Sequence, residues 1–228
     1  MNKVIHVLVS FFCFISTQAQ INELGVFVGG SNYIGDVGTT TYINPNSPAI
    51  GLIYKWNKTP RHSWRFSYIQ SKIIAKDTDS KEIGRKLRGF EFQNNIKELA
   101  GGIEFNFFNF DINNPLERRF TPYVFTGLSL SFYDSLFFKY GHAEFDSKEK
   151  TLALPIILGV KSNLTSNFVL GLEIGARFTF ADDLDGSFPK NENWQPLKFG
   201  NLNNKDWYVF SGITMTYTFG NKPCFCAE

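Results

Sequence analysis

The chain has 228 residues, of which 43% are hydrophobic and 19% charged, with 23 basic and 21 acidic side chains. This mixture excludes outright disorder, and the near balance of charge argues against a nucleic-acid partner, which requires a basic stripe. The mean hydropathy is -0.16, and no run of about 20 apolar residues follows the N-terminus, so a bundle of membrane helices is excluded as well. Aromatic residues form 17% of the chain and favour β-structure.

The first 19 residues have the features of a cleavable export signal. Lys3 supplies a positive charge, the segment 4–15 is mostly apolar, and Thr17 and Ala19 are the small residues that a signal peptidase reads. The sequence therefore predicts a signal peptide over 1–19, a folded domain over 20–219 and a C-terminal tail over 220–228. Of three cysteines only Cys224 and Cys226 remain after cleavage, which excludes a disulfide framework within the domain.

Apolar and polar residues alternate with a period of two in eight segments of the mature chain. In the clearest segment, Phe168, Leu172 and Ile174 share one face, while Glu173 and Arg177 share the other. The eight segments, in chain order, are 24–30, 50–56, 64–74, 99–107, 122–133, 152–161, 168–180 and 207–219. One face of each predicted strand suits an apolar environment, and the opposite face is polar or small.

The connections between these segments are alternately long and short. The long ones cover 31–48, 75–97, 134–150 and 181–206, and the short ones cover 57–63, 108–120 and 162–167. Outer-membrane barrels show this asymmetry, with short periplasmic turns and long outer loops. We therefore predict an all-β fold, an eight-stranded antiparallel transmembrane β-barrel; a soluble sandwich or lipocalin-like barrel is the alternative.

Charged residues on the polar faces are expected to point into the barrel. They are Lys55, Arg65, Glu104, Lys161, Glu173 and Arg177. Eight strands leave a narrow interior that side chains fill, and buried charges persist only when they are paired. The sequence predicts a plugged, salt-bridged lumen, with Lys55 and Lys161 either inside it or near the rim in water.

Several blocks of the chain resemble one known family. They are Gly29–Asp36 (GGSNYIGD), 43–57, Glu98–Phe108 (ELAGGIEFNFF) and Phe120–Gly127 (FTPYVFTG), and the likeness extends in the same order over nearly all of the mature chain. The sequence is similar in these blocks to the PorG family of outer-membrane proteins of Bacteroidota. The resemblance is less distinctive after Asp134.

The resemblance implies a non-catalytic component of the type IX secretion machinery. Members of the family are associated with a periplasmic ring made of a lipoprotein and its partner, which they help to hold at the outer membrane. Two alternatives remain open, because a barrel scaffold hosts many functions. One is a general structural or adhesive barrel of the OmpA or OmpX kind, and the other is a lipid-modifying enzyme.

The short turns carry an excess of cations that a periplasmic partner or anionic lipid headgroups would recognise. The basic residues are Lys58, Arg61, Arg118, Arg119 and Lys161, against the acidic Asp111 and Glu117. An ordinary solvated rim is the alternative interpretation.

The C-terminal tail contains Cys224 and Cys226, which are expected to lie in the oxidising periplasm. A disulfide within Cys-x-Cys is strained, and such bonds exchange readily. We therefore predict an intermolecular disulfide with a periplasmic partner, which the family resemblance implies to be the ring lipoprotein. A strained internal bridge and free thiols are the alternatives.

Residues with catalytic or metal-binding chemistry are sparse. His142, Asp146 and Ser147 supply the residue types of a nucleophilic triad, but their closeness in one loop is better explained by solvated loop polarity. Asp183 and Asp185 imitate the start of a calcium loop that lacks the required glycine and the final glutamate, which leaves at most a weak calcium contact. No cofactor is predicted.

Overall fold

The computed structural model describes residues 21–111, 119–201 and 205–220. Within them the chain forms eight strands and three short helices. The strands are β1 (Ile21–Ile34), β2 (Ser47–Asn57), β3 (His62–Lys76), β4 (Glu91–Asn106), β5 (Phe120–Lys139), β6 (His142–Asn163), β7 (Phe168–Thr179) and β8 (Trp207–Gly220). The α-helix α1 (Ile83–Arg88) follows a 3-10 helix at Asp77–Asp79, and a second 3-10 helix covers Glu192–Leu197.

The eight strands close into one antiparallel barrel in which each strand pairs with its neighbours in sequence. Closure is made by β1 and β8, which pair from Ile21 opposite Gly220 to Ile34 opposite Trp207. The predicted fold class is confirmed. Among the described residues, no helix has the length and apolar character needed to cross a membrane.

The wall of the barrel has an apolar outer face and a mixed, buried inner face. Along β7, Leu172 is 54% exposed, whereas the adjacent Glu173 is 6% exposed. The same inversion recurs in β2, where Leu52 is 59% exposed and Lys55 is 1% exposed. The alternation therefore sends large apolar side chains outwards on a closed sheet, in the phase that the sequence predicts.

The long connection predicted at 134–150 is the main error in the strand assignment. Strands β5 and β6 continue through it and pair up to Lys139 opposite His142, leaving a turn of Tyr140 and Gly141. Both residues have positive φ, 52° and 87°. Two-residue hairpin turns of type I′ require this conformation at both positions, and Tyr at the first one gives no turn signal in the sequence.

The remaining long loops fold over one end of the barrel and form a cap. Val37 and Leu184 from two of these loops are 0% exposed and pack into the core cluster that begins inside the barrel. The Phe90 ring stacks on Phe138 at 4.3 Å between centroids and meets Phe199 at 5.2 Å. This end, which we call the long-loop end, is therefore closed by apolar packing between loops.

Candidate functional site: a sealed lumen and a short-turn rim

The interior of the barrel contains equal numbers of cationic and anionic side chains in the described strands. The cations are Lys55, Arg65, Lys161 and Arg177, and the carboxylates are Glu23, Glu98, Glu104 and Glu173; each residue is at most 6% exposed. An isolated buried charge is costly, so such a set requires close pairing. All four predicted lumen residues are buried inside the barrel, where Arg65, Glu104 and Glu173 share one cluster and Arg177 belongs to another.

Glu104 is the anionic centre of the largest cluster. It accepts hydrogen bonds from Lys161 Nζ at 2.6 Å and from Lys55 Nζ at 2.9 Å, and Arg65 Nη1 lies 3.5 Å away. The side chains of the two lysines are 2% exposed and that of Glu104 is 0% exposed. Both lysines thus point into the lumen, and the alternative position near a wet rim does not hold for either one.

Arg65 joins this cluster to Glu173. Its two terminal nitrogens each donate to one Glu173 oxygen at 2.8 Å, the bidentate geometry that makes Arg-carboxylate pairs strong. The Tyr123 hydroxyl donates to the same carboxylate at 2.7 Å. The Tyr123 ring lies against Gly159, where an added Cβ would be 2.4 Å from the ring, so this glycine makes room for the tyrosine.

A second cluster lies nearer the long-loop end. Arg177 Nε and Nη2 donate to Glu98 at 3.2 to 3.3 Å, and Tyr208 donates to the same carboxylate at 2.6 Å. Arg177 Nη1 donates to the carbonyl of Gly175 at 2.7 Å, and the guanidinium lies 4.5 Å from the Phe210 ring centre. The pairing of Arg177 with a carboxylate across the barrel is that expected from the sequence, although the sequence did not identify its partner.

Apolar clusters close the charged region on both sides. Ile21, Phe110 and Val169 pack together at the opposite end of the barrel, which we call the short-turn end, and Lys161 Nζ lies 5.0 Å from the Phe110 ring centre. The cluster that includes Ile73 and Leu184 closes the long-loop end. Water reaches almost none of the charged groups between them, so the described barrel is sealed.

The short-turn end presents two predicted partner-binding residues to solvent. Lys58 and Arg61 are exposed in the β2–β3 turn. Arg61 Nε donates to Asn109 at 2.7 Å, and the Pro60 carbonyl accepts from the Phe110 backbone at 3.1 Å, so this turn is fixed against the next one. Arg119 is half-buried, and its backbone amide donates to Asn163 at 2.6 Å. The rim is ordered around these cations.

Part of the predicted rim requires correction, and part lies outside the described residues. Lys161 belongs to the lumen through its bond to Glu104 and adds no charge to the surface of the rim. Glu117 and Arg118 lie outside the described residues, as do Cys224 and Cys226 of the tail and the predicted signal peptide.

The residues that imitate a catalytic triad are not assembled into one. Ser147 donates to Glu149 at 2.9 Å, and Asp146 accepts from the backbone of Asn191 at 3.2 Å. His142 is exposed at the hairpin turn, and within the described part of the chain no hydrogen bond joins it to Asp146 or Ser147. The geometry supports solvated loop polarity.

The carboxylates of the acidic stretch after β7 accept hydrogen bonds from other residues of the cap. Both Asp185 oxygens accept backbone amides, from Ser187 at 2.9 Å and from Asp36 at 3.2 Å. Asp183 accepts from the Tyr133 hydroxyl at 2.7 Å and lies 3.4 Å from Lys190 Nζ. In the described ranges, no group of three or more His, Cys, Asp or Glu side chains is arranged to hold a metal ion.

The carboxyl groups of Asp185 and Asp206 in the cap are both buried and interact with each other. Burial raises the pKa of Asp206 well above its ordinary value, and the charge of Asp185 raises it further. Burial also raises the pKa of Asp185, against hydrogen bonds from Ser187 that lower it. Asp206 accepts bonds from the Tyr33 hydroxyl and from the Leu184 amide. The cap is therefore expected to favour protonation of this pair.

A family model described as a domain of unknown function, DUF6089, matches residues 2–228. The chain belongs to this family. A comparison with curated proteins finds no match.

Solved structures with a similar barrel include three bacterial proteins. They are Ail, the attachment invasion locus protein of Yersinia pestis (11% identity, TM-score 0.44, covering 89% of this chain and 100% of that one), the N-terminal β-barrel domain of Pseudomonas aeruginosa OprF (12%, 0.44, 89% and 98%) and the outer membrane protein OprG of P. aeruginosa (10%, 0.44, 90% and 98%).

The structure adds partners to the lumen network that sequence reasoning missed. Glu98 lies on the predicted polar face of its strand, and that phase was the available signal, whereas Glu23 precedes the predicted segment 24–30. Tyr123 and Tyr208 had no such signal, because an inward tyrosine is identified only by the carboxylate that its hydroxyl reaches.

Proposed function

We propose that the protein is an integral barrel of the outer membrane that is closed to solutes and acts without catalysis. The observation that carries this proposal is the combination of an exposed apolar outer wall with a lumen in which all four buried cations are ion-paired. In water such a wall would be an aggregation surface of eight strands, whereas in a bilayer it is the required surface. Closure also leaves no unpaired strand edge for hydrocarbon to contact.

Thiol labelling on whole cells tests the location and the orientation together. In a Cys224→Ser, Cys226→Ser background, we expect Lys81→Cys and Tyr140→Cys at the long-loop end to react with a membrane-impermeant reagent. Lys58→Cys at the short-turn end should react only after the outer membrane is permeabilised. Labelling of Lys58→Cys on intact cells would contradict the proposed orientation. Recovery of the three cysteine variants in the soluble fraction, all labelled to the same extent, would contradict the membrane location.

The finer proposal is that this barrel takes part in type IX protein secretion and docks a periplasmic ring at the outer membrane. It is supported by the blocks that resemble the PorG family and by the ordered rim, where Lys58 and Arg61 are exposed. Exposed cations on a rim suit an acidic protein surface, because charge complementarity steers association. The docking surface would then be the short-turn rim with the tail.

Affinity purification from detergent extract tests the docking. We expect the ring lipoprotein to co-purify at a fixed ratio, and we expect Lys58→Glu with Arg61→Glu to reduce that ratio several-fold. Lys81→Glu with Lys86→Glu makes the same charge change at the long-loop end and should leave the ratio unchanged. A barrel that purifies alone would refute the docking proposal and support the second candidate.

The second candidate is a general small barrel whose working surface is the cap, with a structural or adhesive role. The observation that favours it is the order of this cap and the exposure of apolar residues on it: Ile83 and Leu87 of α1 are 76% and 83% exposed. Binding of cells or matrix that is lost with Ile83→Ser and Leu87→Ser, while ring docking is absent, would select this role.

The proposed disulfide through Cys224 or Cys226 has its own test. A non-reducing gel of outer membranes should show a shifted band that collapses with reductant and disappears in the double serine variant. An unshifted wild-type band would refute it without affecting the barrel assignment.

A further inference from the structure

The outer wall carries a cationic groove at the point where the barrel splits into two hairpins. Strands β4 and β5 pair only up to Lys97 opposite Phe132, although β4 begins at Glu91 and β5 extends to Lys139. Beyond this last pair, β4 stays with β3 and β5 stays with β6. The Asn94 side chain bridges the gap by bonding to the backbone of Asp134 at 2.6 and 3.0 Å.

Four exposed lysines surround this split on its outer side. They are Lys72 of β3, Lys97 of β4 and Lys148 and Lys150 of β6. Register places Gln70, Lys97, Phe132 and Lys150 directly beside one another on four adjacent strands. A groove of about 570 Å³ lies here, and its lining includes Lys97, Lys148, Lys150 and Phe132.

These lysines begin where the apolar belt ends. On β4, Lys97 is the next outward residue after Leu99, which is 49% exposed, and on β6, Lys150 is the next after Leu152, which is 51% exposed. On β7 and β8, the next two strands around the barrel, the corresponding upper residues are Phe180 and Trp207, and neither strand carries an outward cation. The four lysines therefore lie in one sector, on two adjacent rows of the wall.

The lysines have little internal neutralisation. Within the described residues, no carboxylate lies within 4 Å of the ammonium group of Lys72, Lys97, Lys148 or Lys150. The groove contains two acidic side chains, Asp134 and Glu149, and Glu149 is already 3.2 Å from Lys190. Asp134 lies directly opposite Lys148 in the strand register, so four lysines face two carboxylates and the sector keeps an excess of positive charge.

We propose that this groove binds the phosphate-bearing headgroup of a lipid in the outer leaflet. Lysine binds phosphate as a point charge, and its methylene stem can lie along the apolar wall while the ammonium reaches the headgroup. Phe132, 39% exposed between Lys97 and Lys150, provides an apolar contact where a headgroup joins its acyl chains. The assignment of the outer leaflet depends on the proposed orientation, but the phosphate-binding groove does not.

Lipid titration followed by native mass spectrometry tests the groove on the full mature chain in neutral detergent. The probes are diphosphoryl lipid A, its dephosphorylated form and sodium pyrophosphate. We expect binding of diphosphoryl lipid A, at least about 10-fold weaker binding of the dephosphorylated lipid, and no displacement by pyrophosphate at equal concentration. Displacement by pyrophosphate would overturn the lipid as the ligand.

Variants locate the binding. Lys97→Gln with Lys150→Gln should weaken binding about 25-fold, since each cation at a membrane surface contributes about fivefold. Lys81→Gln with Lys86→Gln removes the same charge from the loop before β4 and should change binding less than twofold. Equal losses in the two variants, or none in the first, would overturn the proposal.

Folding is checked by heat-modifiable migration in every variant. If the first variant does not fold, Lys72→Gln with Lys148→Gln probes the same groove from its other two cations, and retained affinity there would equally overturn the proposal. If thiol labelling places the long loops in the periplasm, the proposed orientation is wrong. The binding of lipid A in detergent still tests the groove, because that measurement does not depend on the orientation.

Discussion

The inner and outer faces of the barrel wall are built from the same strands but differ in polarity and exposure: the outer face is apolar and exposed, and the inner face is charged and buried. Along β7, Leu172 faces outwards at 54% exposure, and the next residue, Glu173, is 6% exposed with its carboxylate held by Arg65. The exposed residue is apolar and the buried one is charged, the reverse of a soluble protein. The difference teaches that the outer face has the character that hydrocarbon requires, and that the interior is stabilised by pairing.

The largest expected loss of stability comes from removing one partner of an ion pair in the lumen. Arg65→Met removes the bidentate partner of Glu173 and one cation near Glu104, so we expect a loss of about 3 to 5 kcal/mol in the free energy of unfolding. Equilibrium denaturant unfolding of barrels folded into vesicles measures it. Arg65→Met with Glu173→Leu should be less destabilised than the single variant, and a double variant that is worse than the single one would contradict the pairing.

Placing a charge on the apolar outer wall should reduce the free energy of unfolding somewhat less. Leu172→Arg places a charge at the middle of the proposed hydrocarbon layer, with an expected cost of about 2 to 4 kcal/mol. Phe180→Arg is the matched control, because Phe180 follows β7 at the long-loop end and is expected to cost about 1 kcal/mol or less near the interface. Equal costs at the two positions in the same unfolding assay would show that depth in a bilayer does not govern the wall.

Loss of a single tyrosine hydroxyl should also affect the two faces differently. Tyr208→Phe removes the 2.6 Å bond to Glu98 and should destabilise the barrel by about 1.5 to 3 kcal/mol. Tyr217→Phe makes the same change on the outer wall, where Tyr217 is 47% exposed, and should have little effect. A cost for Tyr217→Phe as large as that for Tyr208→Phe would contradict the assignment of the two faces.

Much of the wall was predictable from the sequence because strand phase is local information. The alternation in β7 determines that Leu172 and Glu173 face opposite sides, and the same reasoning predicts that Arg65 lies inside, whereas Lys55 remained open between the lumen and the rim. The partners were less predictable, since Arg177 meets Glu98 only after closure brings together residues 79 apart. Such pairs depend on the register around the whole barrel, which no single segment encodes.

The long-loop end was the least predictable region. The turn at Tyr140 and Gly141 requires positive φ at a residue without that preference, so the extended hairpin was assigned as a loop. The cap depends on contacts such as Phe90 on Phe138, between residues of low periodicity in different loops. The two-residue alternation that identifies a strand therefore gives no information here.

The cap provides the smallest expected effect, a dependence on pH. Because the folded cap raises the pKa of Asp206 and Asp185, it binds more protons than the unfolded chain. The contribution of this pair to stability is thus fully present below the ordinary aspartate pKa of about 4 and is lost as pH rises through the raised values.

Hydrogen exchange of the Leu184 amide, which donates to Asp206 at 3.0 Å, measures this dependence after correction for intrinsic exchange. Protection should fall as the pH rises above the ordinary aspartate pKa of about 4 in the wild type. Asp206→Asn should flatten the profile. Protection that rises with pH would contradict the sign.

The most direct test of the central claim is the solvent accessibility of spin labels on the outer wall. Labels at Leu172→Cys, Ile213→Cys and Met215→Cys, attached in the Cys224→Ser, Cys226→Ser background and folded into phospholipid vesicles, should relax strongly with oxygen and weakly with a water-soluble nickel complex. A label at Tyr140→Cys should show the reverse. Strong relaxation by nickel at all three wall positions would place this face in water and contradict the membrane-embedded barrel.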